Sequence, residues 1–373
     1  MTHAGEGWHG GVMDRRDLRR LPKAHLHLHF TGGMRRATLV EWAGAKGIGL
    51  PSALRDGVVL RGGPEGWGRF QRLYDIARST IQSGDDVRRL VLEIAEDDAA
   101  AGSGWLELQV DPTTYAPRLG GLIGSLETVL EAAGAAAAAT GVGIGVIVAA
   151  NRARHPMAAL TLARLAARYA GVGVVGFGLS NDERAGAAAD FVQAFHIARN
   201  AGLLACPHGG ELLGHESVRD CVELLGASRV GHAVNAATSA QTMALLAARG
   251  VAAEVCPASN VALGVAPHAA AVPLRALAAA GVPVALGADD PLLFGSGLVD
   301  QYEAARHVHG FTDTELAGLA RASVSCSAAP TTKKAELLAG VDRWLEEPVV
   351  TARAAAARGA GRRARNKTGA LAP

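Results

Sequence analysis

The sequence predicts an α/β protein folded as a (β/α)8 barrel of the TIM type, with a helical lid after strand one and extra helices at the C-terminal end. Short segments rich in Val, Leu and Ile alternate with amphipathic, Ala-rich stretches, an order typical of βαβ units and a parallel sheet. Eight such units fit within about 250–300 residues, the length that a barrel requires. The candidate strands are 24–30, 105–110, 143–148, 172–177, 203–206, 229–232, 251–256 and 283–287. A doubly wound sheet is the alternative, but its Gly-x-Gly-x-x-Gly sequence after an early strand is missing.

Helical patterns fill the intervals between these strands, at 87–101, 125–140, 157–170, 185–201, 217–225, 239–249 and 274–280. More than 70 residues separate the first two strands. An insertion at about 34–85 is therefore predicted to cap the C-terminal face of the barrel as a lid. Helices at 297–307, 313–322 and 331–345 are predicted to close the fold. The predicted divisions are a flexible N-terminus at 1–17, the barrel at 18–348 and a basic tail at 349–373.

The composition indicates a globular cytoplasmic protein. The 373-residue chain is 49% hydrophobic and can bury a large core. No apolar run is long and pure enough to span a bilayer, and residues 1–11 lack the layout of a signal peptide, so no membrane association is expected. The four cysteines show no C-x-x-C spacing, which argues against a thiolate zinc knuckle and a disulfide scaffold and fits a reducing compartment. We expect a monomer or a homodimer.

The charge is distributed unevenly along the chain. The net charge is +2, yet the segment from 349 onward holds six basic residues and no acidic one. A tail of this composition is predicted to be disordered and solvated. The remaining body has a net negative charge, so we expect no nucleic-acid partner for it.

The first predicted strand carries histidines in the run His25-Leu-His-Leu-His29. Because side chains alternate along a strand, this pattern predicts that all three imidazoles share one face. Histidines two apart that point the same way suit two nitrogens binding one metal ion. The plain alternative is a half-buried strand that happens to carry histidines.

Reactive residues recur at the C-terminal ends of the predicted strands, where barrel enzymes hold their active sites. They follow or end strands one, five, six and eight, in that order: His27 and His29, His208 and Glu211, His232, Asp289 and Asp290. Singly, each histidine fits an ordinary hydrogen-bonded role, and the paired aspartates fit a turn or helix cap. Four such groups at one end of a barrel indicate an active site.

The chemistry of this set is coherent. Three neutral imidazoles and one carboxylate make a site that Zn²⁺ or Fe²⁺ accepts, with room for water. The metal lowers the pKa of that water toward neutrality, a further histidine takes its proton, and a carboxylic acid protonates the atom that gains electrons. The residues therefore predict hydrolytic attack on a C=O or C=N centre, and they leave amide, ester, phosphate ester and aminopurine substrates open.

At these residues the chain resembles the adenosine deaminase family, a zinc-dependent branch of the amidohydrolase superfamily. The similarity covers about 18–345 and is carried by five motifs in family order. They are Leu21-Pro-Lys-x-x-Leu-His-x-His-x-x-Gly32, His208-Gly-Gly-Glu211, Arg229-Val-Gly-His232, Cys256-Pro-Ala-Ser-Asn260 and Asp289-Asp-Pro-Leu-Leu-Phe294.

The resemblance implies a hydrolytic deaminase with one Zn²⁺ per chain, Fe²⁺ being the alternative. The implied metal ligands are His27, His29, His208 and Asp289. Glu211 would give a proton to purine N1 while hydroxide attacks C6, and His232, helped by Asp289, would orient and deprotonate the water. The implied substrate contacts are Asp290 on purine N7, and Asn181, Thr31 and His29. His25 stands where the family usually has Glu and is not counted as a ligand.

Three positions depart from the family pattern. Thr31 replaces an Asp that contacts the ribose 5′-hydroxyl in adenosine deaminases, which weakens selection for unmodified adenosine. Asn181 replaces a Gly that offers its backbone N–H to purine N3, although Asn tolerates positive φ better than most residues. Gln109, on predicted strand two, replaces a frequent Arg and is interpreted as structural.

These departures bear on the substrate more than on the reaction, and adenosine, with 2′-deoxyadenosine, remains the leading substrate, converted to inosine and ammonia. The alternatives are a 5′-modified adenine nucleoside such as aminodeoxyfutalosine, and free adenine. A different one-metal amidohydrolase is a more distant alternative. No Lys lies between 172 and 182 to bridge two metals, and His-x-Glu with Pro-Cys-x-x-Cys, the cytidine deaminase pattern, is absent. A non-catalytic relative would be expected to have lost Glu211 or a ligand.

Overall fold

Eight parallel strands form the centre of the computed structural model, which describes residues 15–57 and 66–348. The strands are β1 (Lys23–His29), β2 (Ser103–Val110), β3 (Gly143–Asn151), β4 (Val174–Ser180), β5 (Leu204–Gly209), β6 (Arg229–His232), β7 (Ala252–Val255) and β8 (Val284–Leu286). Each pairs with the next in chain order. The ring closes because the N–H of His29 donates to the carbonyl of Asp289 and the N–H of Asp289 donates to that of His27, both at 3.0 Å. The predicted (β/α)8 barrel is confirmed.

Helices surround this ring and cover its ends. They are α1 (Arg36–Ala45), α2 (Gly66–Ser79), α3 (Gly84–Ala100), α4 (Gly121–Thr140), α5 (Pro156–Arg168), α6 (Val192–Asn200), α7 (His215–Glu223), α8 (Ala240–Arg249), α9 (Pro257–Ala262), α10 (Leu274–Ala279), α11 (Pro291–Phe294), α12 (Leu298–His307), α13 (Asp313–Cys326) and α14 (Thr331–Glu346). Local sequence sets several boundaries. Ser83 and Thr312 begin α3 and α13 with reciprocal capping boxes, and Gly141, at φ 77°, ends α4.

α4 departs from the expectation that no apolar run of the chain is long and pure enough to span a bilayer. By length and composition it is the one helix in the described part of the chain that passes as a membrane span, with a mean hydropathy of 1.3. In the barrel it packs against α3 and β3, and its buried residues include Leu126, Val129 and Ala133, which lie on one face. α4 thus has the length and composition of a membrane span because Ala and Leu dominate its sequence, although it is a helix of the folded barrel.

The segment between β1 and α3 places α2 over the C-terminal ends of the strands, where the lid is predicted. Phe70 of α2 stacks on Phe294 of α11, with ring centroids 5.6 Å apart. At the other end of the barrel, Arg16 donates to the carbonyl of Leu345 at 2.6 Å, so the end of the predicted flexible segment 1–17 contacts α14. Residues 1–14 and the predicted basic tail at 349–373 lie outside the described residues, and the predicted division of the chain stays a prediction.

A buried ion-pair network crosses the barrel interior beneath the strand ends. Arg229 donates to Glu254 Oε1 at 2.6 Å and to Glu107, and none of the three side chains is more than 1% exposed. Glu107 also accepts from the Trp105 indole N–H at 2.9 Å. One guanidinium thus bridges two carboxylates that water does not reach.

Removing this guanidinium is expected to be strongly destabilising. Arg229→Met leaves Glu107 buried without a cation and removes one of the two partners of Glu254, so we expect the free energy of unfolding to fall by about 3–5 kcal/mol. Arg88→Met is the matched control, because its partner Asp85 is 88% exposed and such pairs contribute less than about 1 kcal/mol. Denaturant unfolding of the two variants measures the difference, and equal losses would contradict this account of the network.

Candidate active site

The polar residues at the strand ends converge on one point of the C-terminal face. His27 and His29 come from β1, His208 lies in β5, and His232 ends β6. Asp289 follows β8 and is held beside β1 by the hydrogen bonds that close the barrel. All five line or adjoin one cavity, so the predicted gathering of strand-end residues is observed.

The ligand atoms lie at spacings that suit one ion. His29 Nε2 is 3.2 Å from both His208 Nε2 and Asp289 Oδ1, and His27 Nε2 is 3.4 Å from that oxygen. Four ligands about 2.1 Å from a tetrahedral Zn²⁺ are about 3.4 Å apart. His27 Nε2 is buried and has no hydrogen-bond partner among the described residues, as expected of an atom that binds a metal. His232 and Cys256 belong to overlapping groups of potential ligands.

His27 is oriented by a carboxylate that the sequence analysis did not identify. Its Nδ1 is 2.8 Å from Glu254 Oε2, an arrangement that fixes the ring and leaves Nε2 facing the other histidines. Burial lowers the pKa of His27, but the nearby Asp289 carboxylate and the hydrogen-bonded Glu254 carboxylate outweigh it and raise the pKa to about 10. A cation is therefore strongly favoured between these groups. An acidic residue within the apolar strand 251–256 was the available signal.

His25 corrects the prediction that all three imidazoles share one face. It pairs with Leu106 whereas His29 pairs with Gln109, so the five residues 25–29 of β1 span the four residues 106–109 of β2. This β-bulge turns His25 to the opposite face. Its Nδ1 is 2.8 Å from Asp98 Oδ1, and its Nε2 accepts from the N–H of Ala288 at 3.1 Å. Both ring nitrogens are thus engaged away from the other histidines.

His232 and Asp289 have backbone conformations that are rare outside glycine. Their φ angles are both 61°, and Ala233 follows at 54°. Such strain concentrates at functional sites because the surrounding structure has to enforce it. It brings His232 Nε2 to 3.6 Å from Glu211 Oε1 and 3.9 Å from Asp289 Oδ2. Burial lowers the pKa of His232 to about 3, so its imidazole is neutral at pH 7.

The loop that carries Glu211 is held by a second carboxylate that the sequence analysis did not single out. Glu183, which follows β4, accepts four consecutive backbone N–H groups, those of 210–213, at 2.6–3.0 Å. It also accepts the Ser217 hydroxyl. Burial, with the charges of Asp289 and Glu183, raises the pKa of Glu211 well above its usual range. The result is a fixed carboxyl group that tends to hold a proton.

Asp290 adds a further carboxyl group to the site, and one of its oxygens is unpaired in the described residues. Its Oδ1 is buried and has no hydrogen-bond partner among the described residues. Burial and the neighbouring Asp289 charge raise the pKa of Asp290 well above its usual range. A Cβ on Gly32 would lie 1.8 Å from that oxygen, so only glycine leaves room for this carboxyl group. The group can therefore donate a hydrogen bond into the cavity.

The remaining predicted substrate residues occupy different positions. Asn181 lines the cavity at φ 76°, as expected for Asn in place of Gly, and its amide donates to Gln71 of α2 at 3.0 Å. Thr31 is fully buried behind the wall, and its hydroxyl lies 2.6 Å from that of Tyr115, which does line the cavity. Any effect of Thr31 on a ligand would therefore act through Tyr115.

The outer part of the cavity is formed by the lid and by β2 and β3. α2 contributes Trp67, Phe70 and Tyr74, which provide aromatic surface against a flat ring. β2 contributes Gln109, whose amide nitrogen and oxygen are both buried without a partner in the described residues. The sequence analysis interpreted this residue as structural, because an unpaired amide is visible only in three dimensions.

Comparison with known proteins agrees with this geometry. The family model described as adenosine deaminase matches residues 22–344. A putative adenosine/adenine deaminase of Streptomyces virginiae is 62% identical over 88% of this chain and 98% of its own. An adenine deaminase of Agrobacterium fabrum is 35% identical over 86% and 97% of the two chains. The crystal structure of an adenine deaminase from Arthrobacter aurescens superposes with a TM-score of 0.81 at 29% identity, covering 87% and 99%. With its barrel, its histidine and aspartate cluster and its acid beside that cluster, the chain belongs to the adenosine deaminase family and is a hydrolytic deaminase acting on C–N bonds.

Proposed function

We propose that the protein deaminates a 6-aminopurine at C6, releasing ammonia and a 6-oxopurine, and that free adenine is its preferred substrate. The observation that carries the reaction is the convergence of Glu211, His232 and Asp289 on the histidine cluster. Nε2 of His232 lies between the two carboxylates, at 3.6 Å and 3.9 Å. An acid and a base within reach of one carbon are what addition of water and loss of an amine require.

The metal ligands in this proposal are His27, His29, His208 and Asp289, holding one Zn²⁺, with Fe²⁺ as the alternative. Three imidazole nitrogens and one carboxylate oxygen form a donor set that either ion accepts. When bound, the ion makes water a nucleophile near neutral pH and stabilises developing negative charge. Glu254 holds His27 in the orientation that leaves Nε2 free for the ion.

The remaining side chains handle protons and orient the base. Glu211, protonated in its buried position, gives its proton to purine N1 as water adds to C6. His232, neutral at pH 7, accepts a proton from that water and passes it to the departing amine, which leaves C6 as ammonia. The proton of the hydroxyl left on C6 goes to Glu211 as the 6-oxo group forms, which restores both side chains. Asp290, protonated, donates to purine N7, which is an acceptor. His29 and Asn181 lie on the cavity wall beside the bound base.

The cavity wall near position 31 favours the free base over adenosine. Where the family's Asp would contact the ribose 5′-hydroxyl, this chain has Thr31. Its side chain is buried behind the cavity wall and hydrogen-bonded to the Tyr115 hydroxyl. A ribose thus gains no carboxylate partner there. The relatives named adenine deaminase support the same substrate. Adenosine is the second candidate, since the Streptomyces relative is named for both. The cytoplasmic location and the monomeric or homodimeric state stay predictions.

A deamination screen tests the proposal. Zinc-loaded protein is mixed with adenine, adenosine, 2′-deoxyadenosine and 5′-modified adenosines, and the ultraviolet shift to the 6-oxopurine is followed. We expect the highest kcat/KM for adenine. A higher value for adenosine or a 5′-modified nucleoside would support the proposed deamination but contradict adenine as the preferred substrate. Absence of activity on all of them, with metal bound, would overturn the proposed function.

Introducing a carboxylate at position 31 is expected to favour adenosine. Thr31→Asp puts a carboxylate acceptor behind Tyr115. The Tyr115 hydroxyl can then donate to that carboxylate and accept a hydrogen bond from the ribose 5′-hydroxyl. We expect the ratio of kcat/KM for adenosine to that for a 5′-deoxy analogue to rise by about tenfold, the value of a hydrogen bond to a charged group. Thr161→Asp, on the exposed side of α5, is the matched control. An unchanged ratio would show that position 31 does not govern the 5′ preference.

A further inference from the structure

Two side chains at the end of β2 have polar atoms that no other described residue satisfies. Gln109 is 2% exposed, and both its Nε2 and its Oε1 lack a hydrogen-bond partner. Asp111, two residues further on, has its Oδ2 buried without a partner, while its Oδ1 accepts from the N–H of Thr113 at 2.9 Å. Both residues line the catalytic cavity. Buried polar atoms are almost always paired, so these three atoms point to a polar ligand.

Their position in the barrel says which part of a purine they would meet. In the proposed orientation, Glu211 after β5 binds N1 and Asp290 after β8 binds N7, with C6 toward the histidine cluster. β2, β3 and β4 fill the arc of the ring that runs from β1 to β5, away from β6 and β7. Gln109 pairs in register with His29 and shares its inward face. The edge of the base that carries N3 and N9 therefore faces Gln109 and Asp111.

Two other polar side chains on this arc each have at least one hydrogen-bond partner in the protein. Asn181 donates to Gln71 at 3.0 Å and accepts from the N–H of Asp182 at 2.7 Å. Asn151 accepts from the N–H of Ala153 at 2.8 Å. Of these four side chains, Gln109 and Asp111 are the ones whose buried polar atoms have no partner in the described residues.

We propose that Gln109 and Asp111 bind the N3/N9 edge of the base and select free adenine over N9-substituted purines. This inference rests on the proposed deamination and adds the residues that set its substrate. The Gln109 amide donates to N3, an acceptor, and the unpaired Asp111 oxygen accepts from N9–H. A substituent at N9 removes that N–H and leaves the carboxylate oxygen buried without a partner, a mismatch that binding sites reject strongly. Burial raises the pKa of Asp111, as expected for a carboxylate that a ligand has to satisfy.

Asp111→Asn gives the sharpest test because the orientation of its amide is determined. The N–H of Thr113 holds the amide oxygen at the Oδ1 position, so the NH₂ group replaces the unpaired oxygen and opposes N9–H. We expect kcat/KM for adenine to fall by at least about tenfold, mainly through KM. The value for 9-methyladenine, which has no N9–H, is expected to stay within about twofold. The preference for adenine over 9-methyladenine is therefore lost.

Gln109→Leu separates the two contacts. Adenine and 9-methyladenine both carry N3, so this variant is expected to lower kcat/KM for both by a similar factor and to leave their ratio unchanged. Because each ratio is measured within one protein, partial loss of folded enzyme cancels. Gln82→Leu and Asp85→Asn, both on the outer surface near the start of α3, are the matched controls.

The outcomes separate the inference from the function on which it rests. An adenine preference over 9-methyladenine that disappears in Asp111→Asn supports the inference. Loss of adenosine turnover with unchanged adenine turnover would show that the carboxylate binds ribose hydroxyls, and would overturn it. An unchanged ratio in Asp111→Asn would overturn it as well. If the wild-type protein deaminates none of these purines, it is the proposed function that fails.

Discussion

Glu211→Gln is expected to lower kcat by about a thousandfold while the metal content stays at the wild-type level. Glutamine matches glutamate in shape and keeps its place in the loop held by Glu183, but it cannot give a proton to the ring nitrogen. A positioned general acid contributes about 10²–10⁴-fold, and the buried site offers no solvent substitute. Steady-state kinetics on adenine and elemental analysis of the same sample measure both quantities.

A neighbouring glutamate provides the control for this substitution. Glu223→Gln, at the end of α7, changes an exposed side chain that pairs only with Arg219 on the helix surface. Its kcat is expected to equal that of the wild type. If Glu211→Gln also stays within a few-fold of the wild type, Glu211 is not the proton donor. Loss of metal in Glu211→Gln would instead show that the carboxylate holds the ion.

The fold was accessible from the sequence because its signals are local and repeated. Most strands of the barrel are short apolar runs between helices, many of them Ala-rich, and the predicted strands overlap all eight observed ones. The C-terminal ends of parallel strands meet at one face whatever the loops do. His208 and His232 could therefore be placed near His29 without knowledge of any contact between them.

His25 shows where such reasoning fails. Strict alternation predicts a shared face for His25, His27 and His29, and this holds only while β1 has no bulge. The extra residue between His25 and Leu28 appears in the pairing of β1 with β2 and leaves no mark in the pattern of residue types.

The residues that the sequence analysis missed act through distant partners. Glu254 binds His27 across 227 positions, and Glu183 holds a loop nearly 30 residues away. An acidic residue inside an apolar strand can be noticed in the sequence, but the residue with which it pairs cannot. Gln109 is harder still to identify, because its significance is that no group in the described residues pairs with its side-chain amide. Only the three-dimensional arrangement distinguishes it from an ordinary strand glutamine.

His208→Ala and Asp289→Ala are expected to lose metal and activity together, in contrast to Glu211→Gln. Nε2 of His208 and Oδ1 of Asp289 each lie 3.2 Å from His29 Nε2, so either substitution removes one member of a four-atom donor set. Replacing groups that merely orient a ligand weakens metal binding by about 10–100-fold, and loss of a ligand itself should exceed that. Metal content after dialysis, measured by mass spectrometry, is the readout.

His196→Ala, on the exposed side of α6, is the matched control and should keep its metal and its activity. Asp289→Ala also removes a carboxylate that lies 3.9 Å from His232, so its activity should stay low even when excess zinc restores occupancy. His208→Ala lacks this second defect, and excess zinc should recover part of its turnover. Full metal content in dialysed His208→Ala would exclude His208 from the ligand set and shift the site toward His232 or Cys256, whose ligand atoms belong to the overlapping groups.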